Sequence, residues 1–137
     1  MKIIILIPLL FLFSGCSTTN VPINEKEEPV VSISNQDNEV ITEINTINTE
    51  KLTFTFDNLD NELWTTVYLD NELFLDAIKA NEMTYTVEKK EDTKGIFTLG
   101  ERKLDILYFK DKKNIPQKIN KKDEKKSYQI KYTIVQD

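Results

Sequence analysis

The clearest structural signal in this chain is the stretch YQIKYTIV at residues 128–135. Its apolar side chains fall on alternate positions: Tyr128, Ile130, Tyr132 and Ile134. A period of two residues is typical of a strand that has one face buried and one face in water. The stretch therefore predicts a half-buried β-strand. An exposed edge on residues 128–135 would suit a partner that adds a strand of its own, which makes these four residues the candidate partner edge.

About six further segments upstream also have β character, and turn signals separate them at intervals of roughly ten residues. These segments are 52–56, 64–69, 73–75, 83–87, 96–99 and 104–109. Residues 104–109 are nearly all apolar, which predicts a central strand buried on both faces. Asp70-Asn71 predicts a two-residue hairpin turn, because both residue types tolerate positive φ. Residues 76–81 are expected to form one helical turn.

About seven short strands over residues 51–137 predict an all-β fold, a small antiparallel β-sandwich. The layout resembles immunoglobulin-like domains, which recur in bacterial surface proteins, although this chain lacks their cysteine pair. The resemblance concerns architecture alone and implies no activity.

Residues 1–15 have the composition of a targeting signal. Lys2 precedes the apolar run Ile3–Phe13, which is shorter than the roughly 20 residues of a spanning helix. The run ends in LFSGC at residues 12–16. This motif resembles the lipobox of bacterial lipoproteins, with Phe13 where Leu is usual. In that family a diacylglycerol is attached to the cysteine thiol before cleavage, which implies that Cys16 is the lipidation site.

Cys16 is also the chain's only cysteine, so an intramolecular disulfide is excluded. Each buried CH₂ of an acyl chain contributes about 0.8 kcal/mol, so two or three chains would anchor the protein firmly. The resemblance therefore implies a cell-envelope protein, held by lipid on the extracytoplasmic side of a membrane. This would be the cell membrane of a Gram-positive host or the outer membrane of a Gram-negative one. Apart from the covalent diacylglycerol, no cofactor is expected.

Residues 16–50 are predicted to be a flexible, acidic linker. After Cys16 they carry seven acidic residues against the single base Lys26, and they contain no aromatic residue. Such a composition buries too little apolar surface to offset the entropy of ordering. Two apolar patches leave alternatives open. Residues 30–33 could add an edge strand, and residues 40–47 have near-helical spacing.

Several classes of catalytic site are excluded by composition. The chain has no histidine and no second cysteine, so neither zinc sites nor histidine-assisted nucleophiles can form within it. Lys126-Ser127 is a Ser–Lys pair in sequence only, because adjacent side chains on a strand diverge. The acidic turn 57–62 fits no calcium loop. We therefore expect no enzyme, no metal site and, at a net charge of −5, no nucleic-acid partner.

Residues 110–126 form a lysine-rich segment with eight lysines and three acidic residues, a local charge of +5 in a chain of net charge −5. One hypothesis is contact with an envelope polyanion, such as lipid headgroups or teichoic acid. The alternative is a solvated, edge-protecting loop in which Ile115 and Ile119 form a short strand around Pro116. The candidate polyanion contacts are Lys112, Lys113, Lys118, Lys121, Lys122, Lys125 and Lys126.

The sequence thus favours a non-catalytic, membrane-anchored lipoprotein that binds another envelope protein, as secretion-machine components and immunity or exclusion factors do. A polyanion- or carbohydrate-binding module is the alternative, since Trp64, Tyr68, Phe74, Tyr108 and Phe109 could supply a sugar-binding face. A carboxylate-based hydrolase ranks last, because nothing in the sequence selects a pair of acids.

Overall fold

Eight strands form two sheets in a computed structural model of the chain, which describes residues 22–25 and 27–136. A four-residue helix, α1 (Lys121–Glu124), and two 3-10 turns at Lys89–Glu91 and Lys112–Asn114 complete the described elements. The strands are β1 (Val30–Ser34), β2 (Glu43–Asn45), β3 (Lys51–Asp57), β4 (Trp64–Leu69), β5 (Glu72–Ile78), β6 (Glu82–Glu88), β7 (Gly100–Phe109) and β8 (Tyr128–Val135).

The sheets have the orders β1-β3-β6 and β2-β8-β7-β4-β5. Neighbouring strands are antiparallel except β2, which runs parallel to the end of β8. The predicted small antiparallel β-sandwich is confirmed.

Alternating side chains build the core between the sheets, as the sequence predicts. Leu52, Phe54 and Phe56 of β3 are fully buried while the residues between them are half-buried. Phe54 makes edge contacts with the rings of Phe74 and Tyr132 at centroid distances of 6.2 and 5.8 Å. Pairs of this kind contribute about 0.5–1.5 kcal/mol beyond the area that they bury.

The predicted double burial of the central strand is also present. Every residue from Leu104 to Phe109 of β7 is buried. Leu104 and Ile106 face the core between the sheets, whereas Leu107 and Phe109 belong to a second apolar cluster on the outer face. The five-stranded sheet therefore needs a covering layer on its outer side.

The β4–β5 hairpin turns at Asp70-Asn71 as predicted. Both residues have positive φ, at 48° and 73°, which is the conformation of a type I′ turn that matches the twist of the paired strands. Asp70 is further held by its carboxylate, which accepts hydrogen bonds from Arg102 Nη1 at 2.8 Å and from the Lys103 amide at 3.1 Å.

Residues 30–50 belong to the sandwich, so the linker prediction for residues 16–50 is wrong in this part, and the alternative of an added edge strand at residues 30–33 is the one observed. Strand β1 pairs with β3 over five residues, and β2 pairs with β8 over three. Ile33 and Ile44 reach the core with 8% and 0% of their surface exposed. The linker interpretation fails here because single buried isoleucines decide these strands, while the polar residues around them set the average composition.

Two smaller expectations are also wrong. Residues 96–99 form turns rather than a strand: Ile96 and Phe97 are buried, and the Phe97 amide donates to Asp92 Oδ2 at 2.8 Å. Residues 76–81 form no helical turn, since β5 continues to Ile78. The core takes up Ile96 and Phe97, whereas pairing of Ile78 with Thr65 of β4 keeps the other segment extended.

Residues 22–24 lie against the edge of β7 beyond the start of β8. The Ile23 amide donates to the Tyr108 carbonyl at 2.8 Å. The Asn24 side chain accepts from the Tyr108 amide at 3.1 Å and donates to the Ile106 carbonyl at 2.8 Å. The described chain therefore enters the domain along the edge of β7.

The role of β2 can be tested with two matched substitutions. Ile44→Ala should lower the free energy of unfolding by about 2–5 kcal/mol, because it opens a cavity in the core. Ile47→Ala makes the same chemical change three residues away on a side chain that is 54% exposed, and should cost less than about 0.5 kcal/mol. Urea denaturation of both variants measures the difference. Equal, small effects would mean that residues 43–47 lie outside the folded domain.

Candidate functional site

The lysine-rich segment, residues 110–126, covers the outer face of the five-stranded sheet. Ile119 is 6% exposed and packs with Tyr68, Leu107 and Phe109, while Ile115 packs against the same cluster. The segment is therefore a folded layer with an apolar underside. Removing these aromatic and aliphatic surfaces from water stabilises the layer in place, at about 25 cal/mol per Å² of apolar area.

Hydrogen bonds fix the segment to the neighbouring hairpin. The Tyr68 hydroxyl donates to the Pro116 carbonyl at 2.7 Å, and burial raises the pKa of that hydroxyl, so it stays a donor. The Leu73 amide donates to the Gln117 carbonyl at 2.8 Å, and the Ile119 amide donates to the Asn71 carbonyl at 2.9 Å. An isolated bridge between Glu72 and Lys118 accompanies them. The expected strand around Pro116 is limited to this bridge.

Helix α1 is held at its start by a reciprocal capping box. The Asn120 side chain accepts from the Lys122 and Asp123 amides at 2.9 and 3.1 Å, and Asp123 Oδ2 accepts from the Asn120 amide at 3.2 Å. Such a box satisfies amide groups that a helix start leaves without partners. The Asp123 carboxylate is thereby hydrogen-bonded to the Asn120 amide, next to the lysines.

A partly buried polar cluster joins α1 to β7. Asp105 is fully buried, and it accepts a hydrogen bond from Ser127 Oγ at 2.6 Å. Lys103 Nζ lies 2.6 Å from Glu124 Oε1 and 3.6 Å from Asp105 Oδ2. A buried carboxylate without such neighbours would be strongly destabilising. The cluster therefore specifies where α1 lies on the sheet.

The cluster shifts the pKa values of two of its members. Hydrogen bonds from Lys103 and then from Asn71 hold the pKa of Glu124 below its usual value. Burial opposes the charge on Lys103, but the Glu124 hydrogen bond and the two carboxylates outweigh it, so the pKa of Lys103 is raised. Both groups are therefore charged over the neutral pH range.

The seven candidate lysines lie on the outward side of the segment. All seven are exposed. Lys118 approaches Glu72 at 3.4 Å in a pair whose side chains are 76% and 67% exposed, which contributes little. Among the described residues, no carboxylate lies within 4.0 Å of the ammonium groups of the other six. The candidate lysines therefore carry their charge on the exposed side of the segment.

Three of these lysines line an open groove of about 380 Å³, which we call the lysine groove. Asp123 is the acidic residue in its wall. Pro22, the first residue that the structure describes, is buried at its edge. The lining residues are Pro22, Asn114, Pro116, Lys118, Asn120, Lys122, Asp123 and Lys126.

The aromatic residues considered for a sugar-binding face do not share one exposed surface. Phe74 and Tyr108 belong to the core between the sheets, while Tyr68 and Phe109 lie beneath the lysine-rich segment. Trp64 is half-buried, and the ammonium groups of Lys79 and Lys112 each lie 5.1 Å from its ring centroid. Stacking of a sugar on Trp64 would have to displace these cations.

The predicted partner edge on β8 is partly occupied. Tyr128, Ile130, Tyr132 and Ile134 all point into the core between the sheets. On the backbone edge, β2 pairs with residues Thr133–Val135 and leaves only the first part of β8 open. The three-residue strand β2 has no sequence pattern that could have predicted this parallel pairing.

A different edge is open along its whole length. Strand β6 pairs with β3 in seven consecutive, regular pairs, and its other edge has no strand partner among the described residues. Residues 83–87 of β6, MTYTV, contain no charge and no proline. Exposed edges are usually short, charged, bulged or covered. The alternation Met83-Tyr85-Val87 predicted this strand, but not that it ends a sheet.

The other three sheet edges are protected. Strand β1 is bridged by Val40, and the Ile41 amide donates to its Ile33 carbonyl. Strand β2 has only three residues. Strand β5 has an irregular register with β4 and receives Gln117 and Lys118 on its outer edge.

The structure brings no catalytic group together from the candidates in the sequence. Ser127 donates to Asp105 and to the Glu124 carbonyl, while Lys126 lines the groove. In the acidic turn, Asp60 is buried and caps the Glu62 amide at 2.9 Å. Across residues 22–25 and 27–136, His, Cys, Asp and Glu form no group of three that could hold a metal ion.

No protein-family model, curated protein or solved structure matches this chain. Cys16 and the rest of the signal and lipobox residues lie outside the described part of the structure. Within the described part, no helix has the length and apolarity needed to cross a membrane.

Acid should loosen the lysine-rich segment through Glu124. Because the folded pKa of Glu124 is lowered, its stabilising effect is complete above the ordinary glutamate pKa and is lost as pH falls through the folded value. We expect the protection factors of the Leu73 and Ile119 amides to fall several-fold in this range. Hydrogen exchange monitored by NMR measures them.

Two variants check the assignment to Glu124. Glu124→Gln should lower the same protection factors at neutral pH and flatten their acid dependence. Glu72→Gln removes a carboxylate from an exposed pair and should leave both unchanged. If the two variants behave alike, the Lys103–Glu124 contact does not hold the segment.

Proposed function

We propose that this chain is a non-catalytic lipoprotein of a bacterial envelope, anchored through Cys16, which binds an extended segment of another envelope protein by strand addition to β6. The observation that carries the proposal is the contrast between the four sheet edges. Strand β6 is long and regular and has no strand partner on its outer edge within residues 22–25 and 27–136, whereas β1, β2 and β5 are short, bridged or irregular.

Strand addition suits the chemistry of this edge. Backbone N–H and C=O groups along β6 can pair with any extended chain, and pockets for alternate side chains supply specificity. Natural sandwiches protect such edges against unwanted pairing, so an unprotected one is best explained by a partner that covers it. The proposed partner edge is therefore β6 and not β8, and the proposed function is still binding of another envelope protein.

A second candidate function is polyanion binding through the lysine-rich segment. Its support is the set of exposed lysines, of which only Lys118 has a carboxylate within 4.0 Å of its ammonium group among the described residues. The two functions use different surfaces, because β6 belongs to the three-stranded sheet and the lysines lie over the five-stranded one.

The anchor is tested by metabolic labelling with an alkyne fatty acid in a bacterial host. We expect the wild-type chain to incorporate the label and to enter the detergent phase on Triton X-114 partition. Cys16→Ser should lose the label and the partition behaviour together. Labelling that survives Cys16→Ser would rule out the lipobox assignment.

Strand addition is tested by photocrosslinking in cells. A benzophenone amino acid is placed at Thr84 or Thr86, both exposed on β6, and at Lys131, exposed on β8, as the matched control. We expect Thr84 and Thr86 to capture the same envelope protein. Because strand pairing keeps a two-residue period, their crosslinks should fall two residues apart on the partner.

Other patterns would change the conclusion. Capture from Lys131 alone would return the partner to the open part of β8. Crosslinks from Thr84 and Thr86 that show no two-residue offset would indicate a contact through side chains and would contradict strand addition.

A further inference from the structure

The point where the chain enters the domain lies beside the lysine groove. Pro22 lines the groove, and the next two residues are hydrogen-bonded to the edge of β7 through Ile23 and Asn24. The beginning of the described chain is therefore fixed to the sandwich on the same side as Lys118, Lys122 and Lys126.

The length of chain upstream is short. Only six residue steps separate Cys16 from Pro22, and an extended chain covers at most about 3.6 Å per residue. If Cys16 carries the lipid, as the proposed function requires, the groove cannot lie farther than roughly 20 Å from the membrane surface. The 35-residue linker expected from the composition of residues 16–50 would have allowed a much greater separation.

From this placement we propose that the lysine groove contacts anionic lipid headgroups of the membrane that carries the Cys16 anchor. The chemistry recognised is the phosphate of an anionic phospholipid. Each lysine near such a surface strengthens attachment about fivefold, and Lys118, Lys122 and Lys126 line the groove against the single acidic residue Asp123. The short chain between Cys16 and Pro22 keeps these charges close to the headgroups. The lysines can therefore bind the headgroups without first diffusing to the membrane.

The proposed contact orients the whole domain. The lysine-rich segment lies on the outer face of the five-stranded sheet, and the three-stranded sheet forms the opposite layer of the sandwich. With the lysines on the membrane, the outer face of the three-stranded sheet points away from it. Exposed Thr84 and Thr86 of β6 would then face the envelope space in which a protein partner is met.

The test uses the full lipidated protein reconstituted in vesicles. Since Cys16 is the only cysteine and its sulfur would be occupied by lipid, an introduced cysteine is the single labelling site. A fluorophore is attached at Gln117→Cys in the lysine-rich segment or at Thr84→Cys on the opposite sheet. Both positions are exposed and uncharged. Quenching by lipids with a nitroxide headgroup reports how close each label lies to the membrane.

We expect strong quenching at position 117 and weak quenching at position 84 when the vesicles contain phosphatidylglycerol. Quenching at position 117 should fall in pure phosphatidylcholine. Replacing Lys118, Lys122 and Lys126 with glutamine should reduce the ratio of docked to undocked protein roughly a hundredfold. A control variant with Lys51, Lys89 and Lys90 replaced by glutamine, at the start of β3 and just after β6 in the opposite sheet, has the same net charge as the groove variant and should behave like the wild type.

Three outcomes would overturn the proposal. The labels at positions 117 and 84 could be quenched equally, phosphatidylglycerol could have no effect on quenching at position 117, or both triple variants could lose docking equally. The proposal would also be overturned if the protein bound soluble polyphosphate but the label at position 117 showed no enhanced quenching on phosphatidylglycerol vesicles. The ligand of the lysine groove would then be a free polymer. Failure of the protein to float with vesicles would instead refute the anchor itself, and this proposal with it.

Discussion

Tyr68, Leu107 and Phe109 place large apolar surfaces on the outer face of the five-stranded sheet, and contact with the lysine-rich segment keeps water away from them. A sandwich of this size without a disulfide has a limited core between its sheets. The second apolar layer enlarges the buried area and makes β4 and β7 the most protected strands. Burial of β7 on both faces therefore depends on a segment that has almost no regular structure of its own.

The same contact explains why the lysines form an organised surface. Residues 110–126 contain few apolar residues, and Ile115 and Ile119 are used on the underside. The capping box at Asn120 and the Lys103–Glu124–Asp105 cluster then fix the backbone between them. With the underside fixed, the seven candidate lysines remain exposed to solvent. A dense run of lysines can thus be a structural cover and a charged surface at once, which reconciles the two hypotheses that the sequence left open.

Much of the fold follows from the sequence because side-chain alternation is a local property. Strands β3, β6 and β8 can be predicted from that alternation, the Asp70-Asn71 turn from residue types that tolerate positive φ, and the double burial of residues 104–109 from their continuous apolar character. The apolar residues 30–33 suggest the edge strand that forms as β1, but β2 depends on a partner distant in sequence, as the parallel pairing of Glu43–Asn45 with Thr133–Val135 shows. The turn at residues 96–99 has a different cause, since the Asp92 carboxylate accepts from the Phe97 amide nearby. The lysines could be located from sequence, but the open edge could not, because which strand ends a sheet is decided by topology.

The two proposed surfaces are linked by the way the chain enters the fold. Residues 22–24 lie along β7, next to the lysine-rich segment, and therefore on the layer opposite β6. Had residues 22–50 been a free linker, a lipid anchor would have placed no restriction on which face met the membrane. Docking of Ile23 and Asn24 shortens the free tether and makes the two faces inequivalent. An anchor at Cys16 would then favour one orientation, with the charged cover toward the lipid and the unprotected edge toward a partner.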